Sequence, residues 1–261
     1  MSWLAVWLVG VAVADLARAA GGGLHVRGST VLGSVLAGVG AVVVFTVLAG
    51  LTAPVDLVVL AASLLFLGLW VRFSAQAVST GEGHWAALAS LAGGAAWLVA
   101  LSGWASPAGG WLGQWLGWAD PPLIGPAPDT TDVLLVFALL LVNLATANVL
   151  VRLVLVSVGA MRPAHRVGDG GEPQPSDQLR GGRLLGPLER LLILGLGLSG
   201  QLTAAGLVIA AKGLIRFPEL QSKRDDRTTV EAVGIDQVTE YFLVGSFVSW
   251  LLALGSLALT R

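Results

Sequence analysis

The chain alternates long apolar runs with short polar or glycine- and proline-rich breaks, and the runs have the length of membrane-crossing helices rather than of core strands. Six runs cover Trp3 to Ala20, Thr30 to Leu51, Val55 to Phe73, His84 to Gly103, Thr131 to Ala160 and Val238 to Leu259. A helix needs about 20 apolar residues to span the hydrocarbon, so these six are predicted to be full spans. None shows the period of two expected of a half-buried strand. The predicted fold class is therefore all-α, a polytopic helical membrane protein.

A further run, Leu188 to Phe217, is interrupted, and the rest of the chain is organised around it. Its apolar part, Leu191 to Ala211, is long enough to cross once at ~1.5 Å per residue. Yet Ser199, Gly200, Gln201 and Thr203 stand in its middle, where lipid penalises unpaired polar groups. Glu189 and Arg190 lie at one end, Lys212 and Arg216 at the other. Folding back at Ser199-Gly200-Gln201 would bring those opposite charges to one level, so a broken, re-entrant helical hairpin is predicted, its polar turn lining a pathway. Glu240 opens the last span, where a carboxylate also suits a helix N-terminus. Glu189, Arg190, Lys212, Arg216 and Glu240 are expected to form one charged network, a collar at the cytoplasmic mouth of a cavity.

Other polar positions rank second. Asp15 and Arg18 are three apart and can pair on one helix face, near the interface. Asn148 and Arg152 share a face, while Asn143 lies about 140° from Asn148 at ~100° per residue. For Arg152 the plain expectation is snorkelling to the nearer surface. Between the fourth and fifth spans Trp104, Trp111, Trp115 and Trp118 cluster, the last three at i, i+4 and i+7, which places them on one face of a short helix. Tryptophan prefers the headgroup level, so an external interfacial helix with these four as anchors is expected. Thr131 to Ala160 reads as the longest uninterrupted span, and Pro218 to Gln237 as a solvated charged linker. The domain reading is a five-span region over 1–160, a cytoplasmic polar loop over 161–186 and a C-terminal membrane module over 187–261.

Composition agrees with a membrane protein. Hydrophobic residues make up 55% and charged residues 12% of the chain, about half the charged share of a soluble domain. The formal net charge of −1 supplies no basic field for nucleic acid. The chain has no cysteine and 3 scattered histidines, so no metal site is expected, and no cofactor motif is visible. Its Ala/Gly/Val/Leu/Arg bias points to a GC-rich bacterial genome and hence to the bacterial cytoplasmic (inner) membrane. Arg162, Arg166, Arg180 and Arg183 crowd the loop after the fifth span, whereas the tryptophan and proline loop before it has no Lys or Arg. The positive-inside rule then puts the arginine-bearing loop in the cytoplasm, the tryptophan and proline loop outside and the N-terminus outside.

Glu189 to Ile193, Gly200-Gln201, Ala210-Ala211-Lys212, Arg216-Phe217 with Glu219, and Glu240 to Gly245 together resemble the C-terminal module of a family of uncharacterised bacterial polytopic membrane proteins, a domain of unknown function. The resemblance covers about residues 187–261 and implies a membrane location. Members open with a His and an Asp-Phe pair in the first helix; here only Asp15 carries across. Two function classes stand beside it. One is a channel- or transporter-like protein with a charged cytoplasmic collar, and the other a non-transporting assembly partner or scaffold in a membrane complex. The partners implied are the lipid bilayer and either a second copy or another membrane subunit. No catalytic array supports an enzyme.

Overall fold

In the computed structural model the described residues are 1–21, 28–119, 129–161, 182–225 and 235–260; within these, only the backbone is described for 182–184, 215–225 and 235–238. Among them every regular element is helical: α1 (Ser2–Ala20), α2 (Gly28–Leu48), α3 (Pro54–Thr80), α4 (His84–Ala100), a 3-10 turn (Ser102–Trp104), α5 (Gly110–Ala119), α6 (Thr130–Leu144), α7 (Thr146–Ser157), α8 (Gly182–Leu198), α9 (Leu202–Asp225) and α10 (Ile235–Ala258). Four helices are long and apolar enough to cross a membrane, namely α1, α2, α3 and the Thr239–Ala258 part of α10. The bent pair α6 and α7 makes a fifth candidate, and α4 is apolar but has only 17 residues. Length and composition thus support four or five crossings, fewer than the six expected.

The first helix is the hub. Trp3, Val6, Trp7 and Val9 on α1 are each 0% exposed, because α2, α3, α4, α6 and α7 surround it, and a helix apolar all round is stable only when enclosed. Its indoles are satisfied: Trp3 Nε1 donates to Asp56 Oδ1 at 2.6 Å, and Trp7 Nε1 to the Ser63 carbonyl at 3.0 Å. Asp56, in the first turn of α3, also accepts from the Ser106 N–H. Where α1 crosses α2 the backbones nearly touch, for a Cβ added at Gly38 would lie 2.8 Å from the Gly10 carbonyl oxygen. Only glycine fits there. Small residues take this role in lipid, where close packing replaces the hydrophobic drive between helices.

The tryptophan helix α5 is pinned at its start by Gly109 N–H donating to the Ala49 carbonyl at 2.8 Å. Gly50 and Gly110 meet there at φ of 69° and 54°, a left-handed conformation and close approach that a side chain would oppose. Leu116 is buried while Trp104, Trp111, Trp115 and Trp118 are exposed.

The run expected to be the longest uninterrupted span is broken. α6 and α7 meet at Ala145 with a bend of 43°, and neither proline nor glycine is at the break. Side chains cause it. Asn148 Nδ2 donates to the Leu144 carbonyl at 2.9 Å, and Arg190 Nε to the Asn143 carbonyl at 2.9 Å, so foreign donors enter where the helical ladder would continue. The expected linker over 218–237 is also corrected. The backbone of α9 continues through Asp225 and α10 begins at Ile235, leaving 226–234 outside the described residues. The polar loop at 162–181 and the proline-rich stretch at 120–128 also lie outside them.

Candidate functional site

The C-terminal helices pack in a consistent register. α8 and α9 form an antiparallel hairpin about Ser199-Gly200-Gln201, with Gly200 at φ 77°, a conformation glycine adopts without strain. Glu189, on α8, pairs with Lys212, on α9, across the hairpin. α8 runs parallel to α10: Glu189 and Arg190 meet Trp250 and Ser249, and a Cβ at Gly197 would strike Leu257. Ile193, Ala205 and Ala253 close a small core among the three helices.

The structure does not gather the described charges of the expected collar into one network. Glu189 is 6% exposed, accepting from Trp250 Nε1 at 2.8 Å on one oxygen and from Lys212 Nζ on the other. The Lys212 ammonium also lies 5.9 Å from the ring centroids of both Phe242 and Trp250, within cation–π range. Arg190, 2% exposed, turns away from these groups because successive helical residues point ~100° apart. Its guanidinium bonds neutral oxygens on three other segments: the Asn143 carbonyl, Asn148 Oδ1 and Ser249 Oγ, the last at 3.0 Å. Glu240 is exposed and joins no ion pair among the described residues. The side chain of Arg216 is outside the described set.

A second polar cluster lies across the α6/α7 break, on α1 and α3. Asp15 is 3% exposed; Oδ1 accepts from Arg18 Nη2 at 2.6 Å and Oδ2 from Trp70 Nε1 at 3.1 Å. The carboxylate of the pair is therefore enclosed by protein. Arg18 Nη1 also donates to Ser74 Oγ at 2.9 Å. Thr146, the first residue of α7, faces the Asp15 carboxylate. Asn148 is exposed on the same helix, and Arg152 is half-buried with a partner of its own.

Register fixes the level of the hairpin turn. Thr146 faces Asp15, and α6 runs parallel to α1, so Asn143 is level with about Ala12, next to the midpoint of α1 at Val11. Asn143 Nδ2 donates to Ser256 Oγ at 2.8 Å, and the next residue, Leu257, packs on Gly197. Ser199 begins two residues later, so the turn lies within about one helical pitch, ~5 Å, of the middle of α1. Gly200, Gln201 and Thr203 are exposed there; Ser199, also exposed, donates its hydroxyl back to Gly195 O at 2.9 Å. The last helix ends at the same level.

The Asn143/Arg190 junction was not legible as a site because its partners are backbone and amide groups from distant segments. Arg190, Asn143 and Asn148 each stand out as polar residues in apolar runs, but nothing in the sequence joins them. Among the described residues no group of His, Cys, Asp and Glu could hold a metal ion. Comparison of the chain with family models, with curated proteins and with solved structures yields no match.

Proposed function

We propose that this is a channel- or transporter-like membrane protein in which α8 and α9 enter from the cytoplasmic side and turn back near mid-bilayer. The observation that carries this reading is the exposed polar turn at Ser199 to Thr203, level with the middle of the enclosed helix α1. Polar, non-helical backbone at such a depth is tolerated only beside protein or a wet cavity. Beneath the turn lie the two ion pairs Asp15–Arg18 and Glu189–Lys212 and the buried Arg190, a charged layer on the cytoplasmic side of it. A broken helix, α6/α7, borders the same region, as discontinuous helices border binding sites in known transport folds by analogy.

The membrane frame rests on tryptophan. Trp85 is exposed at one end of α4, and Trp104, Trp111, Trp115 and Trp118 are exposed beyond the other. The 17 residues of α4 separate those levels by about 25 Å, close to the ~30 Å of hydrocarbon. Five crossings follow in this reading, α1, α2, α3, α4 and the bent α6/α7, in a bacterial cytoplasmic membrane with the N-terminus outside; α10 enters from the cytoplasmic side and ends level with the hairpin turn. A scaffold reading draws on a different observation, the satisfaction of Glu189 and Arg190 by internal partners, which suits charges that lock helices together.

Flux separates the two. Proteoliposomes containing the Gln201→Cys variant should carry protein-dependent K+, Cl− or H+ flux that falls when a bulky thiol reagent is added, while the cysteine-free parent is unaffected. Absence of flux of all three ions would count for the scaffold reading, and flux indifferent to modification would remove the α8/α9 turn from the pathway.

A further inference from the structure

We infer that Asp15 is a proton-binding site reached through the break between α6 and α7; this deepens the pathway reading above and rests on it. The first observation is a pair of buried polar side chains at the break. Thr146 and Asn143 are 1% and 0% exposed and stand three positions apart across it; Asn143 Oδ1 has no hydrogen-bond partner, and the Thr146 hydroxyl reaches only the Asp15 carboxylate. A buried oxygen without a donor is costly, and one at a helix break calls for a small mobile donor such as water. A line of exchangeable groups thus runs from Ser256 and Asn143, just below the hairpin turn, through the break to Thr146 and Asp15.

Charge selects the ion. Among the described residues Arg18 is the one charged group acting on Asp15, and it lies on the same helix. The packed helices α3 and α7 bring it only the neutral groups Trp70 and Thr146, and α2, α4 and α6 bring no charge to it. A metal cation entering the break would meet Arg18 on one side and Arg190, bonded to the Asn143 carbonyl, on the other. An anion would meet the Asp15 carboxylate and the unpartnered Asn143 Oδ1. A proton needs no coordination shell and passes between water and hydroxyl groups. On binding it adds to a carboxylate oxygen of Asp15, which becomes a neutral carboxyl, and Arg18 loses its ionic partner. The guanidinium already donates to Ser74 Oγ at 2.9 Å and lies 3.5 Å from the Val71 carbonyl, so it keeps acceptors when Asp15 is neutral. Release reverses both changes.

Infrared titration of the purified protein in lipid nanodiscs tests this without reference to flux. The high-frequency carbonyl stretch of a carboxyl in an apolar site, set apart from that of the exposed carboxyls, should grow as pH falls, be lost in Asp15→Asn and persist in Asp56→Asn. Should Asp15→Asn fail to fold, Thr146→Val should shift the midpoint of the band while Thr146→Ser leaves it in place. A band that persists in Asp15→Asn, a midpoint indifferent to Thr146→Val, or no titrating band at all would overturn the inference. A titrating Asp15 in a protein that shows no flux leaves the proton site standing and removes the pathway reading; flux with no titrating Asp15 does the reverse.

Discussion

Glu189→Gln should destabilise the protein more than any other single change on α8, by on the order of 3–5 kcal/mol, and adding Lys212→Met should restore most of the loss. The carboxylate is the ionic partner of Lys212, which is otherwise held by Trp250 and Phe242 rings at 5.9 Å. Removing it leaves an ammonium with no counter-charge in a low-dielectric setting. Removing both charges leaves a neutral amide that still accepts from Trp250 Nε1, and a thioether among aromatic rings. A double-mutant cycle read by unfolding in detergent measures this coupling. Single and double variants of equal stability would show that the pair does not hold α8 to α9.

Arg190→Met is the second large effect, and it acts between the two halves rather than within the hairpin. Its guanidinium donates to the Asn143 carbonyl, Asn148 Oδ1 and Ser249 Oγ, joining α8 to α6, α7 and α10. Each buried acceptor left without a donor costs ~1–3 kcal/mol, and the Asn143 carbonyl and Ser249 Oγ are two such, so a loss of about 3 kcal/mol is expected. Arg190→Lys should recover only part of it, because one ammonium cannot reproduce a planar fork of donors. A cross-link reports the geometry: a Cβ at Gly245 would lie 3.6 Å from Leu155 Cδ1, and the chain has no native cysteine. The yield of the Leu155→Cys/Gly245→Cys disulfide should fall when Arg190→Met is added. An unchanged yield would mean that the halves dock without Arg190.

Helix class and apolar character were legible because hydrocarbon-length runs and tryptophan spacing are local signals. The turn at Ser199-Gly200-Gln201 was legible too, since glycine and polar residues interrupt an apolar run. Given that turn, the meeting of Glu189 with Lys212 is geometry: they stand nearly equidistant from Gly200, one on each arm. The break at Ala145 had no such signal. It arises from side chains of Asn148 and Arg190 bonding backbone carbonyls, and a sequence carries no sign of a partner 47 positions away. The enclosure of α1 was equally hidden, because an apolar run reads alike whether lipid or protein surrounds it. The pairing of Asp15 with Arg18 was legible from their spacing of three, but the enclosure of the carboxylate was not, because Trp70 comes from α3.

The central claim is that the α8/α9 turn reaches a wet space from outside while the segment after α9 stays in the cytoplasm. Because the chain has no cysteine, Gln201→Cys and Thr228→Cys each create a single thiol. Intact spheroplasts exposed to a membrane-impermeant maleimide should label the Gln201→Cys protein promptly, and the Thr228→Cys protein only after the membrane is broken. Labelling of Thr228→Cys from outside would mean that the run from Leu188 to Phe217 crosses once, and would contradict the account.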